Sequence, residues 1–183
     1  MKTVKNRTEF LNELSTYLPK EITAIELGVF DGAFSKEILD ILLPQKLYLV
    51  DPFEANEETY GDAMQITTAY STRNELSLVT DKFKYEINHE QVIVDKAYSY
   101  DAVNNYQNNY FDFIYIDASH LYKDVKRDLN DWLSKLKKGG LMCGHDYVLM
   151  FGVIPAVKEF CIEHNFEMIL FNMQGGDWAL KQK

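Results

Sequence analysis

Two short stretches put charged side chains where apolar runs end. In IYIDASHLY, residues 114–122, β-forming residues lead into Asp117, and His120 follows three positions later. In GHDY, residues 144–147, another apolar run ends in His145 and Asp146. Carboxylates and imidazoles together suit two kinds of chemistry. An imidazole can take a proton near neutral pH. Carboxylates with an imidazole can also hold a divalent ion, oxygen ligands favouring magnesium or manganese and nitrogen tilting the preference to softer ions. Asp117, His120 and His145 are therefore the candidate catalytic groups. Each has a plainer alternative: His120 as an N-terminal cap of a following helix, His145 and Asp146 as a turn pair, Asp117 as an acceptor for backbone amides.

A third feature is ELGVFDGAFS, residues 26–35, at the end of an earlier apolar run. Its glycines, Gly28 and Gly32, let the backbone turn tightly and approach a ligand. Phe30 breaks the GxGxxG pattern, and no Gly-Lys-Ser/Thr follows, so neither phosphate-binding loop is present. Glu26 would repel a phosphate but suits an ammonium. Asp51 ends the next apolar run, 23 positions after Gly28. An acid there can take both hydroxyls of a ribose, or cap the turn before Pro52. A ligand with a ribose, an ammonium and no phosphate fits S-adenosylmethionine.

These residues need elements to carry them, and the apolar pattern supplies a series. Helical spacing covers residues 9–17, 34–42, 71–86, 99–105, a strongly amphipathic stretch from Tyr122 to Leu136, and 154–164. Gly139 and Gly140 read as the C-cap of that amphipathic helix. Short apolar runs at 22–29, 46–50, 91–94, 111–116, 141–144, 166–171 and 178–181 read as seven strands. The alternation predicts an α/β fold: a doubly wound, mostly parallel, seven-stranded sheet in one domain, residues 1–183. The last two strands share only a short turn, so they should form an antiparallel C-terminal edge. Ligands bind beyond the carboxyl ends of such strands, where every feature above lies.

Taken together, AIELGVFDGAFS, LYLVDPF, the run from FDFIYIDASH to KKGG, and GHDY resemble the class I S-adenosylmethionine-dependent methyltransferases. The resemblance is to their small O-methyltransferase branch, similar to the catechol and antibiotic-sugar enzymes, and it implies the Rossmann-like methyltransferase fold. It further implies that Glu26, Gly28 and Gly32 line the methionine part of the cofactor, that Ser35 also binds the cofactor, and that Asp51 holds the ribose. Ala97, Tyr98 or Ser99 would lie nearest the adenine, and Asp117 would face the methyl-transfer centre. A divalent metal, magnesium or manganese, would be held by Asp117, His145 and Asp146 and would lower the pKa of an acceptor hydroxyl. This sequence departs from the family's metal pattern at His145, so His120 acting as a metal-free base stays open beside it.

The remaining properties narrow the partners. A formal net charge of −9 and no extended basic cluster argue against nucleic acid. The polar N-terminus and the lack of a long apolar run argue against a leader or a membrane span, and with two cysteines predict a cytoplasmic protein. The expected acceptor is a small molecule in a pocket of Phe53, Tyr60, Met64, Tyr147, Met150 and Phe151, with a homodimer able to supply a missing wall. Asp124, Asp128 and Asp131 are expected to be solvated or capping, and Trp132 and Trp178 to pack. The rival classes are a nicotinamide-dependent oxidoreductase and a non-catalytic cofactor-binding module.

Overall fold

A computed structural model describes residues 1–54, 74–147 and 152–183. Its centre is an eight-stranded sheet of β1 (Lys2–Val4), β2 (Thr23–Leu27), β3 (Lys46–Val50), β4 (Val92–Asp95), β5 (Phe111–Ile116), β6 (Leu136–Gly144), β7 (Phe166–Asn172) and β8 (Trp178–Gln182). The order across the sheet is β1-β7-β8-β6-β5-β2-β3-β4. Among the described strands β8 alone runs antiparallel, paired to β6 on one side and β7 on the other. The doubly wound, mostly parallel reading therefore holds, with one strand more than expected. β1 pairs in parallel with β7 and takes the outer edge beyond the C-terminal hairpin. Three residues in a polar terminus carry no period, so this strand had no sequence signal.

Among the described residues the helices are α1 (Arg7–Leu14), α2 (Ala33–Leu42), α3 (Glu75–Lys82), α4 (Lys84–Asn88), α5 (Ser99–Ala102), α6 (Tyr122–Leu133) and α7 (Val153–Glu163). They cover both faces of the sheet, and the strands alternate between two cores. Ala24, Phe113 and Tyr115 face Phe10, Leu14, Phe34 and Ile38 of α1 and α2. Ile25, Ile114 and Ile116 face Val125, Leu129 and Trp132 of α6 and Phe160 of α7. A strand covered on both sides must be apolar throughout. All six residues of β5 are buried, and its one acid, Asp112, is paired with Lys137 at 2.7 Å. Each large apolar side chain sequestered this way contributes roughly 1.5–3 kcal/mol. Trp132 and Trp178 are both packed in the second core, as expected.

The glycine pair is a correction. α6 ends at Leu133, β6 begins at Leu136, and Gly139 and Gly140 lie inside that strand. A Cβ on Gly140 would stand 2.9 Å from the Asp112 carbonyl oxygen. Glycine there lets β6 pass β5 where their register shifts between Phe111 and Phe113. Among the described residues no helix is long and apolar enough to cross a membrane.

Candidate active site

The chain leaves β2 toward β3 and β4, then returns to the other side of β2 with β5. This is the switch point of the sheet, where a crevice opens past the strand ends. Asp117 N donates to Leu27 O at 2.7 Å, and Gly28 N donates to Val50 O at 2.9 Å. Gly28 has φ +88°, and a Cβ on it would stand 2.1 Å from Asp117 O. Only glycine lets the ends of β2 and β5 close together. A cleft of about 490 Å³ opens above them. Ligand pockets generally span about 300–1,000 Å³.

Of the expected cofactor residues, Glu26, Gly28, Asp51, Tyr98 and Asp117 line the cleft, as do His120 and Asp146. Gly32, Ser35, Ala97 and His145 are not among its lining residues. Gly32 instead gives room to Phe83, whose ring lies 2.8 Å from where a Cβ would be. Ser35 is buried and donates its hydroxyl to the Glu26 carboxylate. Ala97 packs against the second core. Phe53 lines the cleft, whereas Tyr147 packs edge-on to Phe171 at 5.8 Å. Tyr60, Met64, Met150 and Phe151 lie outside the described residues.

Glu26 is 1% exposed. Burial pushes its carboxyl well above the usual range, the Ser35 hydrogen bond opposes this, and the Asp117 charge adds to it. Asp51 is a brace: Oδ2 accepts from Val29 N at 2.7 Å and Phe30 N at 3.1 Å, and Oδ1 accepts from Phe53 N at 2.6 Å. It thus holds the turn after β2, where Phe30 sits in the left-handed region at φ 55°. A carboxylate has about four acceptor positions, so one is left for a ligand hydroxyl.

The ends of IYIDASHLY and GHDY meet. His120 Nε2 lies 2.6 Å and His145 Nδ1 3.1 Å from Asp146 Oδ2, and His145 Nδ1 lies 3.7 Å from Asp117 Oδ1. Asp146 adopts φ 57°, a left-handed conformation that Asp tolerates better than most residues. Burial alone would raise Asp146, but the hydrogen bonds from both imidazoles outweigh it and hold the carboxylate below its usual range. Burial alone would lower both imidazoles, but the Asp146 hydrogen bond and the nearby carboxylates raise them. Asp117 is pushed up to about 6 by burial, with the His145 charge acting against it.

His120 is not the helix cap: Leu121 is the N-cap of α6, with no side-chain hydrogen bond. That first turn is served instead by Ser119, which donates to Asp124 Oδ2 at 2.9 Å and accepts from Leu121 N at 3.3 Å. A group that could hold a metal ion consists of Asp117, His120 and Asp146, with one ligand atom from each, all within 4.8 Å of one another. Two carboxylates and an imidazole fit a divalent ion. The imidazole in this group is His120 and not the expected His145. His145 is instead set over the β7–β8 turn, where Trp178 Nε1 donates to its carbonyl at 2.9 Å and a Cβ on Gly175 would lie 3.4 Å from its Nε2.

Three acids differ from or add to the expectation. Asp128 is buried, not solvated: it accepts from Ser99 Oγ at 2.7 Å, and burial pushes it up to about 6. Glu75 of α3 lines the cleft at 5% exposure, and its Oε1 has no hydrogen-bond partner among the described residues. Asp177, wholly buried, accepts from Arg7 Nε at 3.0 Å and from the Tyr115 hydroxyl. Arg7 itself lines the cleft. Arg7 and Asp177 are 170 positions apart, so nothing local in the sequence pairs them.

A family profile described as a methyltransferase domain matches residues 25–147. Among solved structures the chain is similar to the O-methyltransferase NovP, at 18% identity and TM-score 0.70, over 97% of this chain and 80% of that one. It is also similar to a Streptococcus mutans protein described as a methyltransferase and solved with S-adenosylhomocysteine, at 15% identity, TM-score 0.63 and 97% coverage of both chains. The Bacillus subtilis tRNA methyltransferase TrmK shares the fold at 9% identity and TM-score 0.60, over 98% of this chain and 68% of that one. No curated protein matches the chain in sequence.

Proposed function

The chain belongs to this methyltransferase family, the class I S-adenosylmethionine-dependent enzymes, and we propose that it methylates a hydroxyl of a small-molecule acceptor. One observation carries the acceptor class: among the described residues, nine carboxylate side chains line the cleft against three from Lys and Arg. Such a lining attracts a cationic ligand and repels a polyphosphate backbone. The likenesses to NovP and to TrmK both reach the fold alone; that NovP is an O-methyltransferase is in keeping with this reading.

The cofactor supplies a methyl group on a cationic sulfonium, and transfer leaves a neutral thioether. The residues present fit such a ligand. Glu26 and Gly28 suit its amino-acid end, Asp51 its ribose and Tyr98 its adenine side. The three amides on Asp51 fix the turn that would seat it. What remains for the protein is to position the acceptor in line and remove its proton. Asp117, His120 and Asp146 are the groups for that work. They would hold a divalent ion, which would lower the pKa of the acceptor hydroxyl. A metal-free second reading is favoured by the 2.6 Å contact of His120 with Asp146. In it, His120 takes the proton and Asp146 orients the imidazole and stabilises its charge.

Calorimetry comes first. The purified protein should bind S-adenosylhomocysteine; binding of a nicotinamide dinucleotide in its place would revive the oxidoreductase reading. Labelled methyl transfer should then go to hydroxyl-bearing small molecules such as catechols or sugars. Label entering a tRNA transcript instead would sink the small-molecule assignment. Exhaustive chelation separates the two proton-removal readings, since turnover that survives it needs no ion and leaves the task to His120.

A further inference from the structure

An amino-acid end presents an ammonium and a carboxylate on one carbon. A cleft that holds it needs an acceptor and a cation side by side. Glu26 is the acceptor. Among the described residues, Arg7, Lys123 and Arg127 are the Lys and Arg side chains of the lining. Arg7 is the cation whose charge bears on Glu26. Arg127 sits beside Tyr100 and Asp124, its Cζ 4.4 Å from the Tyr100 ring centroid and Nη1 3.5 Å from Asp124 Oδ1. Resting on the cofactor reading above, we propose that Arg7 binds the carboxylate of the cofactor's amino-acid end while Glu26 faces its ammonium.

The guanidinium is held as such a site requires. Its Cζ lies 4.1 Å from the centroid of Phe34, another lining residue. Nε donates to Asp177 Oδ1 at 3.0 Å, and Nη2 donates to the Tyr115 hydroxyl at 3.4 Å. Asp177 is fixed in turn by Asn172, whose Nδ2 donates to its Oδ2 at 2.7 Å. Asp117 Oδ2 is 3.9 Å from Nη2, beyond hydrogen-bond range. Among the described residues no acceptor engages Nη1, so the planar fork keeps donors for a carboxylate. Arg7 and Asp177 both lie outside residues 25–147, the stretch that the family profile matches. The two ends of the chain would thus complete a site whose middle belongs to the family.

Titration calorimetry with two ligands tests this: S-adenosylhomocysteine, and the same molecule lacking only its carboxylate. Arg7→Met removes the fork and keeps an apolar stem over Phe34. It should weaken S-adenosylhomocysteine on the order of 10- to 100-fold, as loss of charge-assisted hydrogen bonds does, and leave the decarboxylated ligand within about 3-fold. Arg7→Lys keeps the charge without the fork and should fall between; it carries the test if the methionine variant melts early. Equal weakening of both ligands, or of neither, overturns the Arg7 assignment and leaves the methyltransferase reading standing. So does a wild-type protein that binds the two ligands equally. Wild-type protein that binds no S-adenosylhomocysteine overturns the cofactor reading and this assignment together.

Discussion

Asp117 gives up its proton less readily than an ordinary carboxyl. Its ordinary carboxyl pKa of 3.8 rises to about 6 in the fold, chiefly through burial. The folded chain therefore binds a proton more readily than the unfolded one between about pH 4 and pH 6, and folding stability falls as pH climbs through that window. Above it, the full cost of the buried charge is present, on the order of 2–3 kcal/mol for a shift of this size. Asp117→Asn should remove that cost. Thermal melts in chelator are expected to coincide with wild type near pH 4 and to run higher by several degrees at pH 7.5. A variant less stable than wild type at pH 7.5 would show that the Asp117 charge is satisfied by His145 and Arg7. Turnover should move the opposite way, by about 100-fold or more, because the same carboxylate belongs to the proton-removing group. At this scale the sequence was partly legible. Asp117, His120 and Asp146 stood out because acids and imidazoles at the ends of apolar runs are uncommon. Arg7 and Asp177 did not, because their meaning comes from a contact across 170 positions.

The elements hold that group from two directions. Gly152, at the start of α7, donates its amide to the His120 carbonyl at 3.0 Å. The β7–β8 hairpin reaches under GHDY, with Tyr147 N donating to Gly176 O at 3.0 Å and Trp178 Nε1 to His145 O at 2.9 Å. A Cβ on Gly152 would stand 2.2 Å from Tyr122 N and 2.6 Å from Tyr122 Cα. Those are backbone atoms at the head of α6, which cannot swing aside as a side chain would. Gly152→Ala should therefore cost about 1–3 kcal/mol by overpacking. Since the clip runs through His120, it should also lower kcat more than it weakens S-adenosylhomocysteine. Denaturant melts and calorimetry read the two separately; unchanged stability would mean that the α7 start shifts freely away from α6. The strands of this layer were legible from apolar runs alone, β3 and β5 to the residue. The glycine pair at 139–140 was misread because only two residues, Ser134 and Lys135, separate α6 from β6. A helix end and a strand start that close look alike when glycine follows an amphipathic run.

Across the whole molecule, charge and topology act together. The sheet brings its strand ends to one side, and the cleft there concentrates acids on a chain already at formal net charge −9. Part of that acidity is muted, since burial holds Glu26, Asp117 and Asp128 toward the protonated form. The rest still produces a negative field in a partly enclosed space, which favours a ligand bearing one extra positive charge. The methyl donor and its product differ in that charge: the sulfonium carries it and the thioether does not. Field-driven selection of this kind weakens as salt shortens the screening length, from about 10 Å at 0.1 M to about 3 Å at 1 M. S-adenosylmethionine affinity should therefore fall several-fold between 0.05 and 0.5 M salt, while S-adenosylhomocysteine changes by less than about 2-fold. Competition calorimetry across the salt series measures both slopes. Parallel slopes would mean that the acids are already neutralised by their partners, and that the cleft recognises its ligand by shape and hydrogen bonds alone. Divergent slopes would tie the acidic lining to catalysis as well as to binding. With divergent slopes, the field that draws the sulfonium in would hold the thioether less tightly, and transfer of the methyl group would itself loosen the product.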